Sequence, residues 1–283
     1  APPGERGKLM SALSGQRGAE IEEDVITYHR DRLAGFADRA RAQGVVVTEA
    51  VLQGTPFVEV IRMVLRESHD IVIKGATRGL DGGGALKGCD MHLLRKCPCP
   101  VWIAAAEPEQ RFKTVLAAVN AAGADDPTRA KIDRLVLDLA LWASARDGAD
   151  LSVIHAWHLQ AEQALRKGRF GARDKIGGAA KVDALVAQEH AAAQARVAAL
   201  MEQYPQVPKT VVTLRKGVAG DVIADHAANI RADLIVMGTV GRTGLSGFVM
   251  GNTAETTLAR VRTSVIAVKP DGFVSPVTLE VSG

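Results

Sequence analysis

Cysteine is scarce in this chain. Three occur among 283 residues, Cys89, Cys97 and Cys99, an odd number confined to one short stretch. That usage argues against a secreted disulfide framework and favours a reducing compartment, so a cytoplasmic location is expected. Aromatic residues make up only 4%, whereas hydrophobic residues reach 47%, so the core must be aliphatic. No apolar run approaches the ~18 residues of a membrane span, which argues against integral membrane contact. Neither sign of charge dominates: 35 Lys and Arg against 32 Asp and Glu leave +3, with no acidic or basic tail. Nucleic acid is therefore not an expected partner. No signal peptide is visible, and the chain begins with Ala1 rather than Met.

Several catalytic signatures are also missing. No serine lies in a G-x-S-x-G elbow. The glycine-rich stretch Gly82 to Lys87 is misspaced for a phosphate-binding P-loop, and no G-x-G-x-x-G follows a strand. Cys89, His92, Cys97 and Cys99 form a cluster, but C-x2-H and C-x-C fit standard zinc spacing poorly, and no metal site is expected.

What is present is a repeat. An offset of 163 residues pairs Gly54 with Gly217, Asp70 with Asp233, Gly75 with Gly238 and Gly88 with Gly251. Between these markers, Ile71-Val72-Ile73 lies over Leu234-Ile235-Val236. The chain length is also that of about two domains. The expected organisation is a first copy over 1–108, a second over 109–272 and a tail over 273–283.

The second copy reads as alternating strands and helices. Lys113–Val119 is a buried strand. Asp125-Asp126-Pro127 supplies an N-cap and a first-turn proline, and Ile132, Leu135, Val136 and Leu139 follow at helical spacing, with Trp142 continuing the face. Leu151–Ala156 is a strand, 160–181 a polar loop, and Val182–Gln203 an alanine-rich helix packed on its own sheet and ended by Pro205 and Pro208. Strand Val211–Leu214, helix Gly220–Asn229, strand Leu234–Met237, helix Asn252–Arg262 and strand Val265–Val268 complete it. This alternation predicts an α/β fold with a parallel sheet. The first copy supplies a helix over Glu20–Gln43, strand Val45-Val46-Val47, a helix through Ile61 and Leu65, and strands Ile71–Ile73 and Val101–Ile103. Nothing in it matches the strand at Lys113. The repeat therefore predicts an incomplete first unit, lacking an opening strand, helix and strand of about 50 residues.

The chemistry concentrates in Gly238-Thr239-Val240-Gly241-Arg242-Thr243-Gly244-Leu245-Ser246-Gly247-Phe248-Val249-Met250-Gly251-Asn252-Thr253. It follows a strand and enters a helix. Glycines allow a tight turn and close approach to a ligand. The helix start offers free N–H donors and partial positive charge, which suits phosphate and supplies roughly 0.3–2 kcal/mol from the dipole. Asn252 and Thr253 add side-chain donors and Arg242 adds charge. The competing reading is a surface turn whose glycines serve geometry alone.

The spacing G-x2-G-x9-G after Asp233-Leu234-Ile235-Val236-Met237 resembles the ATP-binding motif of the universal stress protein family. The stretch from Gly238 to Glu255 is similar to the second half of its tandem, E-type members, and His92–Pro98 with Pro100-Val101-Trp102 resembles the end of their first half. The resemblance implies two adenine-nucleotide alpha-hydrolase-like units with parallel five-stranded sheets, and ATP at the carboxyl ends of the strands. It carries the nucleotide-binding role onto Asn120, Gly238, Gly241, Arg242, Gly251, Asn252 and Thr253. The family often has aspartate where Asn120 stands and Ser or Thr where Asn252 stands. These changes remove a carboxylate and a hydroxyl and bear on affinity and on recruitment of magnesium.

The first copy departs further. Arg78 replaces the second glycine, Gly82-Gly83-Gly84 alters the loop, and Asp90 falls where a phosphate would sit. A carboxylate there complements the helix dipole and repels an anion, so this copy is not expected to bind ATP in the family's manner. His155 and His158 are expected at a polar rim. Strands Val101–Ile103 and Val265–Val268 are expected to pair within one chain, with a homodimer as a further option, and Val274–Val281 to add or cover a sheet edge. The resemblance implies a stress-response protein that binds adenine nucleotide in its second unit and signals without turnover and without a catalytic residue. Two alternatives are a weak ATPase or nucleotidyl transferase, and a scaffold that has lost nucleotide.

Overall fold

The computed structural model describes residues 16–77, 86, 88–105, 111–121, 126–167, 178–208, 211–239 and 250–279. In chain order the elements are α1 (Gln16–Arg41), α2 (Pro56–Glu67), β1 (Val72–Gly75), α3 (Cys89–Lys96), β2 (Val101–Ala104), β3 (Thr114–Ala118), α4 (Pro127–Asp147), β4 (Asp150–Trp157), α5 (Glu162–Arg166), α6 (Gly178–Met201), β5 (Val212–Lys216), α7 (Ala219–Asn229), β6 (Leu234–Gly238), α8 (Asn252–Arg260) and β7 (Ser264–Val268). The chain divides into two compact units, residues 1–60 and 61–283.

All seven strands form one sheet in the order β1-β2-β7-β6-β3-β4-β5. The strands of the second copy give the expected five parallel neighbours, β7-β6-β3-β4-β5. The first copy adds parallel β1 and β2, and β2 joins β7 antiparallel, so the sheet is mixed. At that seam Val101 faces Ala267, Trp102 faces Ile266 and Ile103 faces Val265. Under the 163-residue offset Ile266 is the counterpart of Ile103, and Val265 that of Trp102. The register is therefore the one two identical copies would adopt about a two-fold axis, written into a single chain.

The local signals for α4 act as expected. Asp126 caps it by accepting from the Arg129 N–H at 3.1 Å, and Pro127 occupies the first turn. Ile132, Val136, Leu137, Ala140 and Ala143 are buried against Val115, Ala117, Val153, Leu234 and Val236. Trp142 departs from the expectation. It is 49% exposed, because the buried stripe of α4 runs through Leu137 and Ala140 and turns past it. Its ring instead lies beneath the Arg146 guanidinium, 5.2 Å away. At the amino end of β3, Asp233 Oδ2 accepts from the N–H groups of Lys113 and Thr114 at 2.7 and 2.9 Å, which fixes β3 beside β6.

The expected strand Val45-Val46-Val47 does not form; the segment carries no ladder and Val46 is 96% exposed. The corresponding strand of the second copy, β5, pairs only with β4. Among the described residues of the first copy there is no counterpart of β4 to receive this segment. The described tail likewise adds no strand: Val274 is 80% exposed, and the Thr278 carbonyl accepts from Arg62 Nε at 3.1 Å. Among the described residues no helix is long and apolar enough to cross a membrane.

Helices α7 and α8 pack closely where Gly220 meets Thr256: a Cβ at position 220 would stand 2.5 Å from Thr256 Cβ. Gly220→Ala is expected to cost about 1–3 kcal/mol, read as a lowered urea midpoint; an unchanged midpoint would contradict this packing. A second expectation concerns acid. His155 and His226 are buried, and burial lowers both pKa values. The unfolded chain then binds protons first as pH falls through about 6.5. Their contribution to stability is full above that pH and declines on acidification, so the urea midpoint should fall between pH 7.5 and 5.5. The decline should flatten in His155→Gln.

Candidate functional site

The sheet creates the site by its strand order. From β3 the chain winds to β4 and β5, then returns to the other side of β3 for β6 and β7. The carboxyl ends of β3 and β6 therefore open beside each other, in register at Ala118 and Met237, and such a switch point is where open α/β sheets bind ligands. Asn120 leaves β3 there, and Gly238 ends β6.

Asn120 is exposed, but its backbone is held. Its N–H donates to Asp133 Oδ1 at 2.7 Å, and Asp133 is buried on α4. Ala121, fully buried, follows in the left-handed region at φ 47°, so the chain turns sharply away from the strand. Behind it the Val119 carbonyl lies 3.2 Å from His155 Nδ1. His155 is 3% exposed, and burial holds its ring neutral. This corrects the rim placement expected for it; its neighbour His158 is exposed.

Gly238 permits a close approach of α4. A Cβ there would lie 2.8 Å from Ile132 Cγ2, so a larger residue would push the helix off the strand end. Thr239 then ties two elements together. Its N–H donates to the Val268 carbonyl at 3.1 Å, and its own carbonyl accepts from the Gly251 N–H at 2.9 Å. That second bond brings the start of α8 to the mouth of β6. Gly251 is the cap residue of α8 and has no side chain to offer, and the first helical bond runs from the Glu255 N–H to the Gly251 carbonyl at 3.1 Å. Helix geometry leaves the N–H groups of Asn252, Thr253 and Ala254 without an intrahelical acceptor, and no described side chain caps them. Asn252 and Thr253 are exposed. Such a helix mouth attracts an anion through its N–H donors and partial positive charge.

The structure thus gathers Asn120, Gly238, Gly251, Asn252 and Thr253 at one end of the sheet. Gly241 and Arg242 lie outside the described residues, as do Arg78 and Gly82-Gly83-Gly84 of the first copy. Sequence reading missed Asp133, Thr239 and the buried position of His155. The one available signal was Asp133 itself, an acidic residue interrupting the apolar stripe of α4.

The matching helix start of the first copy carries a buried ion pair. Asp90, in the first turn of α3, is 0% exposed. Its Oδ1 lies 2.6 Å from Lys74 Nζ, and its Oδ2 accepts from the Thr77 N–H at 2.6 Å. Lys74 also donates to Thr77 Oγ1 at 2.7 Å. The offset places Asp90 on Thr253 and Lys74 on Met237. One copy carries a fixed internal anion and its cation; the other has neither at those positions. The last turn of α3 is linked to the first turn of α8, where Arg95 meets Glu255 at 2.8 Å.

Comparison with known proteins places these features. The chain is 29% identical over 280 residues to Universal stress protein E of Salmonella typhi, covering 98% of this chain and 82% of that protein. The corresponding protein of Escherichia coli K12 is 28% identical over the same span. Among solved structures, a functionally unknown protein from Pseudomonas aeruginosa PAO1 superposes with a TM-score of 0.65 at 23% identity, over 86% of this chain and 78% of that one. A universal stress protein from Archaeoglobus fulgidus gives 0.61 at 18% identity, over 91% and 83%. The profile of the Universal stress protein family matches this chain twice, over residues 4–105 and 112–269, and the chain belongs to that family.

Proposed function

We propose that this protein is a stress-response protein that binds adenine nucleotide, with ATP as the expected ligand, at the β3–β6 switch point of its second copy. The reading takes residues 1–108 and 109–272 as the two units and 273–283 as a tail. The observation that carries it is the contrast between the two equivalent helix mouths. Neither helix is capped by a side chain, but the first turn of α3 carries the buried, ion-paired carboxylate of Asp90, whereas Asn252 and Thr253 open α8 without charge. The phosphates would take the N–H groups of Asn252, Thr253 and Ala254 together with the side chains of Asn252 and Thr253. The glycine loop and Arg242 would lie against the same phosphates, and Asn120 would face the nucleotide from β3. A bound magnesium would draw its ligands mainly from the phosphates, since Asn120 brings an amide and Glu255 is engaged by Arg95. The intramolecular seam consumes the edges of β2 and β7, so a homodimer would need another surface.

Titration calorimetry with ATP and with AMP tests the reading. One nucleotide per chain is expected, with a matching rise in melting temperature; no heat and no thermal shift would end it. Asn252→Asp places a carboxylate at the mouth and should weaken binding about tenfold or more, through charge repulsion and lost donors. Single-turnover assays with magnesium separate binding from turnover: hydrolysis that Asn252→Ala abolishes would favour the ATPase alternative.

The first copy yields its own expectation. Asp90→Ala leaves the Thr77 N–H without its acceptor and the Lys74 ammonium without its counter-charge, and should cost about 1–3 kcal/mol in urea unfolding. The wild-type stoichiometry should stay at one. A value near two would contradict this reading of the Asp90 mouth.

A further inference from the structure

Two thiols and a buried ammonium meet at the corner between α3 and β2. Cys97 ends α3, its N–H donating to the Leu93 carbonyl at 2.9 Å, and it is fully buried. Pro98 turns the chain, and Cys99, half-buried, brings its sulfur to 3.6 Å from the Cys97 sulfur. Neither is in a disulfide. Lys269, the residue after β7, is 5% exposed and arrives from the second copy. Its Nζ donates to the Leu94 carbonyl and stands 5.1 Å from the centre of the Phe273 ring.

The charge balance of this corner is unusual. Among the described residues no carboxylate pairs with Lys269. A buried ammonium without a counter-charge is costly, and a carbonyl and a ring face offset only part of that cost. The nearby ionisable groups able to supply negative charge are the two thiols. Each of the three groups is shifted by its surroundings. The bond shared with Cys99 lowers the pKa of Cys97, and the Lys269 cation lowers it further. The same bond and burial raise Cys99. Burial lowers Lys269 to about 8, against the opposing pull of the thiols. Cys89, by contrast, is raised chiefly by burial and has no second thiol beside it.

We propose that Cys97 and Cys99 form a redox-active dithiol, set in place by Lys269, that hydroperoxides oxidise to an intramolecular disulfide. The Cys97 thiolate attacks one peroxide oxygen; an S–O bond forms, the O–O bond breaks, and hydroxide leaves. That hydroxide takes the Cys99 proton and becomes water. The Cys99 thiolate then attacks the Cys97 sulfur; the S–S bond forms, the S–O bond breaks, and the second hydroxide is protonated from solvent. Two thiols lose two hydrogens and two electrons, and hydrogen peroxide is reduced to two waters. The sulfurs must close from 3.6 Å to about 2.05 Å.

The test uses the whole chain treated with one equivalent of hydrogen peroxide, then alkylated and digested with trypsin. The peptide Cys97–Arg111 contains both thiols and excludes Cys89. The expected product is that peptide lighter by two hydrogens and unalkylated, with Cys89 still alkylated. Cys99→Ser should instead leave a sulfenic acid at Cys97 that a dimedone probe captures. Lys269→Met, checked for an unchanged near-ultraviolet circular dichroism spectrum, should slow oxidation about tenfold or more. Two alkylated thiols in the peptide while Cys89 is consumed, or a disulfide between chains, would overturn the proposal. So would full-rate oxidation in folded Lys269→Met. The wild-type peptide map needs no variant, so a Lys269→Met chain that fails to fold leaves the test standing.

Discussion

Every helix starts with backbone N–H groups that need an acceptor, and the charge placed beside those groups differs between the two copies. In the first copy no side chain caps α3, but a carboxylate stands in its first turn. That carboxylate, Asp90, is fully buried, with Lys74 as its counter-ion and the Thr77 N–H as a second donor. A buried carboxylate persists only when paired and hydrogen-bonded, and here both conditions are met. In both copies the cap is glycine, Gly88 and Gly251, and in the second copy the residue matching Asp90 is Thr253, which carries no charge. The repeat has kept the glycine cap and changed whether a fixed carboxylate stands beside it. The same fold thus yields one mouth that is structural and one suited to a ligand.

The seam between the copies has a comparable logic. The last strand of each copy would be an exposed edge, and an exposed edge invites pairing with another chain. Here β2 and β7 take each other, in a register that is symmetric under the repeat. The contact is reinforced at its margins: the Ala105 N–H donates to Ser264 Oγ at 3.0 Å, and Trp102 packs beside Phe112 at 5.8 Å. The pairing also brings Lys269 from the second copy to the α3 terminus of the first, by its bond to the Leu94 carbonyl. The arrival of Lys269 beside the two thiols of the first copy is therefore a product of the seam.

Much of this was legible in the sequence, for identifiable reasons. Asp126-Pro127 announced α4 because capping is local chemistry, and the strands β3, β6 and β7 were plain as short apolar runs between turn residues. The glycine spacing from Gly238 to Gly251 located the mouth, because glycines there answer to close approaches such as Ile132 against Gly238. Features that depend on distant partners were not legible. Val45–Val47 has the composition of a strand, yet a strand exists only through its neighbour, and here none is present among the described residues. Trp142 fits the spacing of α4 but not its buried stripe, since the stripe follows the sheet it meets. His155 looked like a rim residue because nothing in the sequence told how deeply β4 is covered. Asp90 was legible as a carboxylate at a helix start, but its burial with Lys74 needed coordinates.

Binding without turnover finds support in the groups that surround the switch point. Hydrolysis of a nucleotide asks for a base that can orient or deprotonate water. The position at the end of β3 holds Asn120, whose amide cannot take a proton at ordinary pH. Asp133, the nearby carboxylate, spends an oxygen on the Asn120 N–H and is buried on α4. His155 is neutral, but its ring is 3% exposed and its Nδ1 lies against the Val119 carbonyl. Glu255 is drawn to Arg95. Each candidate base in the described mouth is already committed to holding backbone or neighbouring charge in place. Those commitments hold backbone and neighbouring charge in place around the proposed site, which would favour positioning of an anion there.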